Sequence, residues 1–399
     1  MKTLKVIIIG GGIGGLTCAR ACLDAGLEVE LYEKRGLHPM LSGPGGIQIQ
    51  KNAMGVYELL GEGVIQNQLY EQGGKIIKGG FFNQEFFPLY INSPKYANED
   101  DLGIGILRPQ LQEILYNNLP EGIVRNNANF TGFKETSREV EVHFDNGEIA
   151  TGDLLVGADG LYSKVRAKIQ GKEKLEDPIY SGMTCWRGSF LAENLPLDPQ
   201  YTWAEVWGCG NRFGYFDVGE GKFAFYGFQN TTLGGNDNEV LGAKQALRSL
   251  FSDYAQPIPA IIESLDETKI YRDDIMDRLP LAVPWGQGRV TLIGDAAHPV
   301  QPNIGQGGCM AIEDAYELVK HLINSPNHPN QEITVSLRQF EQNRFPRVEK
   351  VFNTSRQIGK LGQINTVFGS RLRNWLYRLT PTWLGDLQFK WLLDYQPNQ

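Results

Sequence analysis

The chain has 399 residues, a hydrophobic share of 41%, a charged share of 21% and a formal net charge of −8. This length favours two domains over a single core, and the acidic balance argues against a nucleic-acid-binding protein. The five cysteines are scattered, which suits a reducing compartment better than a disulfide framework, and no Cys/His pattern predicts a metal site. Since no apolar run has the length of a signal peptide or of a membrane-spanning helix, we expect a cytoplasmic protein.

The first predicted elements are an apolar strand over Val6–Ile9, a glycine-rich turn and a helix that ends near Gly26. A second strand, Val29–Tyr32, leads to Glu33, and this order of elements is the dinucleotide-binding pattern. The glycines let backbone N–H groups approach a pyrophosphate at the positive end of the helix. Glu33 can accept hydrogen bonds from both ribose hydroxyls. We predict that the dinucleotide is bound by Gly10, Gly12, Ile13, Gly14, Gly15, Glu33 and Arg35.

Two later segments agree with such a site. GILRPQLQEIL places Arg108 just before a helix, where its charge can neutralise a pyrophosphate. DLLVGADGLYSKVR predicts a strand that ends at Asp159, with Arg166 at the start of the next helix. An exposed arginine and an Asp-Gly turn are each ordinary features by themselves. We nevertheless assign Gly46, Arg108, Asp159 and Arg166 to the cofactor site.

Aromatic strands follow in the middle of the chain. NRFGYFDV and KFAFYGFQ flank Gly219-Glu220-Gly221, which indicates a β-hairpin because glycine supplies the positive φ of the turn. The glycines of GCGNRFG are interpreted as a turn, since no helix follows them. One interpretation of the many aromatic side chains is a large apolar substrate pocket, and the other is an ordinary core. They occupy positions 186, 203, 207, 213, 215, 216, 223, 225, 226 and 228.

The segment GRVTLIGDAAHPVQPNIGQGGCMAIEDA predicts a strand that ends at Asp295, a loop with two prolines and a helix that begins among glycines. Asp295 can accept hydrogen bonds from ribityl hydroxyls, and the positive helix N-terminus suits the negative charge of a reduced flavin. An ordinary strand–loop–helix is the alternative, but the N-terminal motif and this segment together indicate FAD. We assign to the flavin Asp295, Pro302, Gly305, Gln306, Gly307 and Gly308.

In this order and at these separations, the motifs resemble the single-component FAD-dependent monooxygenases of the aromatic-hydroxylase type. The resemblance is carried by GxGxxG with Glu33, by Arg108 and by the blocks GADGLYSKVR and GDAAHPVQPNIGQGG. Within that group, YSGMTCWRG and IMDRLPLAVPWGQGRVTLIGDAAHPVQPNIGQGGCMAIEDAYEL are most similar to the zeaxanthin epoxidases.

The resemblance implies an α/β fold in which a Rossmann-like FAD-binding domain is interleaved with a mixed-sheet, α+β substrate domain and is followed by a helical C-terminus. The FAD-binding domain would take residues 1–75, 101–177 and 271–360, the substrate domain 76–100 and 178–270, and the tail 361–399. The resemblance also implies that NADPH or NADH binds transiently near Asp159 as the reductant. O2 would then react at flavin C4a, and the hydroperoxide would transfer one oxygen to a lipophilic or aromatic small molecule.

A phenolic substrate needs a base or an anion-stabilising group, whereas an alkene needs neither. The candidate catalytic residues are Arg187, Arg212 and Tyr226, with a structural role in a strand as the alternative for each. A flavin-dependent halogenase is an alternative function, but the typical Trp-x-Trp-x-Ile-Pro stretch is absent. Another FAD-dependent oxidoreductase and a non-catalytic FAD sensor are further alternatives. Consumption of NADPH with incorporation of oxygen into a product separates the monooxygenase from all of these.

The C-terminal tail has a different composition from the rest of the chain. It combines tryptophans with basic residues, and such an amphipathic segment can lie in a membrane interface. Helices packed over the cofactor domain are the alternative. The residues concerned are Arg371, Arg373, Trp375, Arg378, Trp383, Lys390 and Trp391. We therefore expect peripheral membrane contact through the tail.

Overall fold

The structure is a computed structural model that describes residues 3–92, 101–235, 237, 242–324, 329–381, 390–395 and 397. Residues 93–100 of the first predicted substrate segment and Trp383 of the tail lie outside the described residues. No helix in the described part of the chain is both long and apolar enough to cross a bilayer.

The strands are β1 (Lys5–Ile9), β2 (Glu28–Glu33), β3 (Gly46–Gln50), β4 (Gly74–Lys75), β5 (Gly79–Asn83), β6 (Pro88–Asn92), β7 (Gly103–Leu107), β8 (Val124–Asn126), β9 (Phe130–Glu135), β10 (Val140–Phe144), β11 (Ile149–Gly152), β12 (Leu154–Gly157), β13 (Ile179–Leu191), β14 (Trp203–Trp207), β15 (Asn211–Asp217), β16 (Lys222–Asn230), β17 (Tyr271–Asp277) and β18 (Val290–Leu292). The helices are α1 (Ile13–Asp24), α2 (Leu37–Met40), α3 (Lys51–Leu59), α4 (Val64–Gln72), α5 (Arg108–Asn117), α6 (Lys164–Ile169), α7 (Ala243–Leu250), α8 (Ile258–Ser264), α9 (Gly307–Ile323), α10 (Pro329–Gly362) and α11 (Val367–Leu379).

A five-stranded parallel sheet, in the order β18-β12-β1-β2-β8, forms the Rossmann-like part of the fold. The central strand β1 is an apolar run that is buried on both faces, as parallel strands covered by helices are. The predicted strand–helix–strand order at the N-terminus is confirmed by β1, α1 and β2. Two three-stranded sheets, β11-β10-β9 and β3-β7-β4, accompany this sheet.

A second, seven-stranded sheet has the order β17-β13-β16-β15-β14-β5-β6. It is mixed, since β14 and β5 run parallel while the other neighbours are antiparallel. The predicted hairpin is confirmed by β15 and β16, and Gly219, Glu220 and Gly221 all have a positive φ. The sheet begins at β5 and includes β17, so it extends past the predicted domain boundary at residue 270. The predicted α/β fold with a mixed-sheet second part is confirmed.

The helices α1 and α9 pack closely against each other. A Cβ atom on Gly14 of α1 would lie only 3.0 Å from the Cβ of Ala311 on α9. At the starts of the two helices, a Cβ on Gly308 would lie 3.8 Å from Cδ1 of Ile13. The glycine-rich segments near residues 10 and 307, far apart in sequence, therefore lie side by side.

Candidate active site

Glycine occupies the three positions of the first motif for different physical reasons. Gly10 has a φ of +112°, and a Cβ there would lie 2.4 Å from the carbonyl oxygen of Ala158. A Cβ on Gly15 would lie 1.9 Å from the carbonyl oxygen of Gly10. Gly12 has an ordinary φ of −80°, and a Cβ there would meet no protein atom within 4 Å. Since the protein itself does not require glycine at position 12, the open space above the start of α1 fits a pyrophosphate.

Glu33 is at the end of β2 and is 4% exposed. Its Oε2 accepts a hydrogen bond from the backbone N–H of Gly11 at 2.7 Å, and its Oε1 accepts from the backbone N and the Nε of Arg35 at 2.9 and 2.7 Å. Burial alone would raise the pKa of Glu33, but the hydrogen bonds from Arg35 and Gly11 lower it overall. The carboxylate is therefore held ionised beside the glycine turn, with further lone pairs that can accept from a ribose.

Arg108 and Asp295 line one cavity of about 420 Å³. Among the described residues, neither side chain has a hydrogen bond or an ion pair. Burial raises the pKa of Asp295, and the nearby charges of His298 and Arg108 offset this only in part. Burial, followed by the charge of Arg187, lowers the pKa of Arg108. An unpartnered carboxylate and an unpartnered guanidinium that are both exposed to one cavity fit a ligand that carries both hydroxyl and phosphate groups, as FAD does.

The first turn of α9 faces this cavity, and a buried amide network holds it in place. Gln306 does not line the cavity, because its Nε2 donates to Gln50 Oε1 at 2.6 Å and its Oε1 accepts from Asn52 Nδ2 at 2.9 Å. Asn52 also donates to Glu313 Oε1 at 2.7 Å. Gln306 therefore fixes the helix start from behind. The predicted cofactor residues that line the cavity are Gly46, Arg108, Asp295, Pro302, Gly305, Gly307 and Gly308.

His298 lies behind Asp295 and does not line the cavity. It is buried, and its Nε2 lies 2.6 Å from Oδ2 of Asp314 on α9. Asp314 also accepts from the backbone N–H of Gly294 at 2.9 Å and from Nε of Arg344 at 2.7 Å. Burial alone would raise the pKa of Asp314, but the charges of His298 and Arg344 lower it to about 2. This cluster ties the turn that carries Asp295 to α9.

Asp159 and Arg166 are absent from the cavity lining. The Asp159 carboxylate accepts from Ser163 Oγ at 2.5 Å and from the backbone N–H of Lys164 at 2.7 Å, so it caps α6. Arg166 Nη1 donates to the carbonyl oxygen of Ala297 at 3.0 Å, and burial lowers the pKa of Arg166 to about 10. Both side chains stabilise segments next to the Asp295 turn, and their contact with a nucleotide stays a prediction.

The seven-stranded sheet forms the opposite wall of the cavity, and its aromatic residues divide between this wall and a separate core. Trp186, Phe213 and Tyr215 belong to a core packed on α7 and α8. The aromatic residues of this sheet that line the cavity are Phe81, Tyr90, Trp203, Phe216, Phe225, Tyr226 and Phe228. The cavity therefore has an apolar, aromatic wall that faces the cofactor loops.

Two of the candidate catalytic residues meet at a third residue, Glu205, which the sequence analysis did not select. Glu205 Oε1 accepts from Trp207 Nε1 at 2.6 Å and from Arg212 Nη1 at 3.0 Å, and its Oε2 accepts from the Tyr226 hydroxyl at 2.6 Å. Arg212 Nη2 donates to Oδ1 of Asn303 in the loop before α9. Glu205, Arg212, Tyr226 and Asn303 all line the cavity. We call these four residues the polar cluster.

The third candidate, Arg187, is not part of the polar cluster. It lines the cavity and its Nη2 lies 2.7 Å from Oδ2 of Asp273. Its aliphatic stem packs beside the glycine turn that precedes β3, since a Cβ on Gly45 would lie 3.4 Å from its Cδ. Of the three predicted catalytic residues, only Arg212 and Tyr226 lie together, and Arg187 is separate from them.

The described parts of the tail divide into two contacts. Leu392 and Leu393 line the cavity, and Arg347 on α10 donates to the carbonyl oxygens of Trp391 at 3.1 Å and Leu392 at 2.8 Å. The Lys350 ammonium lies 3.8 Å from the centroid of the Trp391 ring. This segment therefore packs against α10. The helix α11 packs against the seven-stranded sheet instead. On α11, the Tyr377 ring lies 4.9 Å from that of Trp207 and 6.2 Å from that of Phe81, between ring centroids.

Comparisons with known proteins show similarity to FAD-binding proteins. The family model of the FAD binding domain matches residues 258–355, and that of the NAD(P)-binding Rossmann-like domain matches residues 8–37. The crystal structure of Klebsiella pneumoniae HpxO complexed with FAD and uric acid is similar, with a TM-score of 0.83 and 25% identity, and the match covers 99% of this chain and 96% of that chain.

Two curated relatives are similar in sequence. The chloroplastic zeaxanthin epoxidase of Spinacia oleracea is 38% identical over 331 residues, which cover 79% of this chain and 47% of that protein. The chain thus spans about half the length of this relative. The aurachin C monooxygenase/isomerase of Stigmatella aurantiaca is 35% identical over 403 residues, which cover 100% of both proteins. The chain therefore belongs to the family of FAD-dependent monooxygenases, close to the zeaxanthin epoxidases.

Proposed function

We propose that this protein uses NADPH or NADH and O2 to hydroxylate or epoxidise a lipophilic or aromatic small molecule. One observation carries the proposal. The same cavity is lined by the unpartnered Arg108 and Asp295, by the glycine-rich start of α9 and by the aromatic wall of the second sheet. When bound, FAD supplies the activation of O2 and the transfer of one oxygen atom. The names of the relatives, an epoxidase and a monooxygenase/isomerase, support oxygen insertion.

The residues of the chain bind and orient the reactants. Arg108 and the open start of α1 would hold the pyrophosphate, and Asp295 would accept hydrogen bonds from the ribityl chain. The N-terminal amides of α9 would stabilise negative charge on a ring bound beside them. Arg187, Arg212 and Tyr226 orient the substrate against the aromatic wall. Leu392 and Leu393 exclude water from the cavity, which limits wasteful loss of activated oxygen.

The experiment has two stages. FAD-loaded protein is mixed anaerobically with NADPH or NADH, and the loss of flavin absorbance is followed. The ligand that remains bound through purification is then identified by mass spectrometry and supplied with isotope-labelled O2. We expect one labelled oxygen in the product for each NAD(P)H consumed. Flavin that neither nucleotide reduces would refute the reductant, and an unlabelled product would refute the monooxygenase.

We further propose that α11 contacts an anionic membrane surface from which the lipophilic substrate enters. Phe368 is 78% and Trp375 58% exposed, and the exposed apolar positions follow helical spacing along one face. The opposite face packs through Tyr377 on Phe81 of the cavity wall. Arg371 and Arg378 are exposed beside the apolar face and complement anionic headgroups. The apolar face consists of Val367, Phe368, Leu372, Trp375, Leu376 and Leu379.

Co-sedimentation with anionic vesicles tests this contact. Truncation at Val367 is unsuitable, because it also removes the segment that docks on Arg347. The variant Phe368→Ser/Trp375→Ser keeps that segment, and Leu191→Ser/Leu233→Ser changes exposed apolar residues elsewhere as a control. We expect the wild type and the control to sediment at low salt and to be released by high salt, while the α11 variant stays in the supernatant. Wild-type protein that stays in the supernatant at low salt would show that α11 is structural.

A further inference from the structure

The charges that line the substrate side of the cavity are compensated within the protein. Arg212 is 1% and Glu205 5% exposed, and they form an ion pair of 3.0 Å. Arg187 forms an ion pair of 2.7 Å with Asp273. Among the described lining residues, only Arg108 and Asp295 carry charges without such a partner, and these two are assigned to the cofactor. A ligand that carried its own charge against the aromatic wall would therefore find no free counter-charge there.

The polar cluster has unused acceptor capacity on the Tyr226 hydroxyl and an unused donor at the buried Nε of Arg212. The Tyr226 hydroxyl gives its only proton to Glu205 Oε2, so its oxygen lone pairs remain. Burial, followed by the charge of Glu205, raises the pKa of Tyr226 well above its ordinary value, so the phenol keeps that proton at neutral pH. The hydrogen bonds of Glu205 to Trp207, Arg212 and Tyr226 fix the carboxylate against the sheet.

We propose that the polar cluster selects an uncharged substrate that presents a hydroxyl or a ring N–H to Glu205 and Tyr226, and that it rejects carboxylates. This inference rests on the proposed function, because it takes the cavity as the substrate site. The selectivity comes from Glu205, which neutralises Arg212, the arginine of the polar cluster. An apolar body packs on the aromatic wall, and a single donor group meets the polar cluster.

The test is a binding titration of the FAD-loaded protein with 2-naphthol and 2-naphthoate, a matched pair with the same ring body. Binding is read from the perturbation of the flavin absorbance. We expect the wild type to bind 2-naphthol at least tenfold more tightly than 2-naphthoate. In Glu205→Gln the charge of Arg212 is uncompensated, so 2-naphthoate should bind at least tenfold more tightly than in the wild type. Arg212→Gln should shift the preference in the opposite direction, which keeps the test decisive if one variant fails to fold.

Glu220→Gln is the control, since Glu220 pairs with Lys222 on the exposed hairpin and should leave both affinities unchanged. A wild type that binds both ligands equally, or neither, overturns the proposal, as does a Glu205→Gln protein with an unchanged ratio. The titration needs no turnover, so its failure can be distinguished from a failure of the oxygen-insertion experiment. A protein that prefers 2-naphthol but inserts no oxygen would refute the monooxygenase and support the charge-based selection.

Discussion

Replacement of Asp295 by alanine should weaken FAD binding without weakening the apoprotein. Hydrogen bonds to a charged group are worth about 1.5–3 kcal/mol each, so the loss of one ribityl contact raises the FAD dissociation constant by about 10- to 150-fold. The apoprotein loses nothing, because no described residue donates to this carboxylate. The pKa of Asp295 is raised in the folded protein, so above its ordinary pKa of about 3.9 the ionised carboxylate opposes folding.

His298→Ala should have the opposite pattern, although His298 is only three residues away. Its ring lies 2.6 Å from the buried Asp314 and does not line the cavity. Removal of this partner leaves one oxygen of a buried carboxylate short of a hydrogen bond, which costs about 1–3 kcal/mol of unfolding free energy. Because the Asp295 carboxylate itself stays in place, the FAD affinity should change much less than in Asp295→Ala.

Both quantities are measured on the same preparations. Apoprotein is titrated with FAD, and the quenching of flavin fluorescence gives the dissociation constant. Urea unfolding of the apoprotein gives the free energy of unfolding. Asp295→Asn serves as the conservative variant, since it keeps an acceptor oxygen without the charge and should fall between wild type and alanine. Equal dissociation constants for Asp295→Ala and His298→Ala would refute the roles assigned to the two residues.

Three further predictions concern the cofactor and the buried charges. The purified protein should be yellow with one non-covalent FAD per chain, as measured by absorbance and by release on denaturation; retention of FMN instead would contradict the dinucleotide site. Gly12→Ala should weaken FAD binding at unchanged urea stability, whereas Gly15→Ala should destabilise the apoprotein because its Cβ would lie 1.9 Å from the Gly10 carbonyl oxygen; equal stability losses would contradict this difference. Asp314, with a folded pKa of about 2, contributes stability that is present above its ordinary pKa of about 3.9 and is lost as the pH falls toward 2. The unfolding free energy of Asp314→Asn should therefore decline less than that of the wild type between these pH values, and an identical decline would show that other carboxylates dominate.

The cofactor half of the site could be predicted from the sequence because its signals are local. A few neighbouring residues determine each of these signals. The signals are a positive φ at Gly10 and Gly305, a helix start after each glycine run and a carboxylate at each strand end. The packing of α1 on α9 then follows from small residues such as Gly14. Short motifs encode local geometry of this kind, so it can be predicted without knowledge of the rest of the chain.

The polar parts of the site could not be predicted in this way, because their partners are distant in sequence. Asn52 and Gln306 are 254 positions apart and bond directly at 2.9 Å. Glu205 is an ordinary acid in the strand WAEVW until the neighbouring strands bring Arg212 and Tyr226 to it. The amphipathic pattern of the tail was also ambiguous, since Trp391 packs against Lys350 while Trp375 stays exposed.

The two ends of the cavity differ more in their charges than in their apolar surface. At the cofactor end, Arg108 and Asp295 are exposed to the cavity and have no hydrogen-bonding or ion-pair partner among the described residues. A ligand that supplies phosphate and hydroxyl groups would give both side chains partners. At the substrate end, Glu205 neutralises Arg212, so that end gains nothing from an anion. The charges are therefore unpaired at one end and paired at the other, which predicts an anionic dinucleotide at the first end and a neutral molecule at the second.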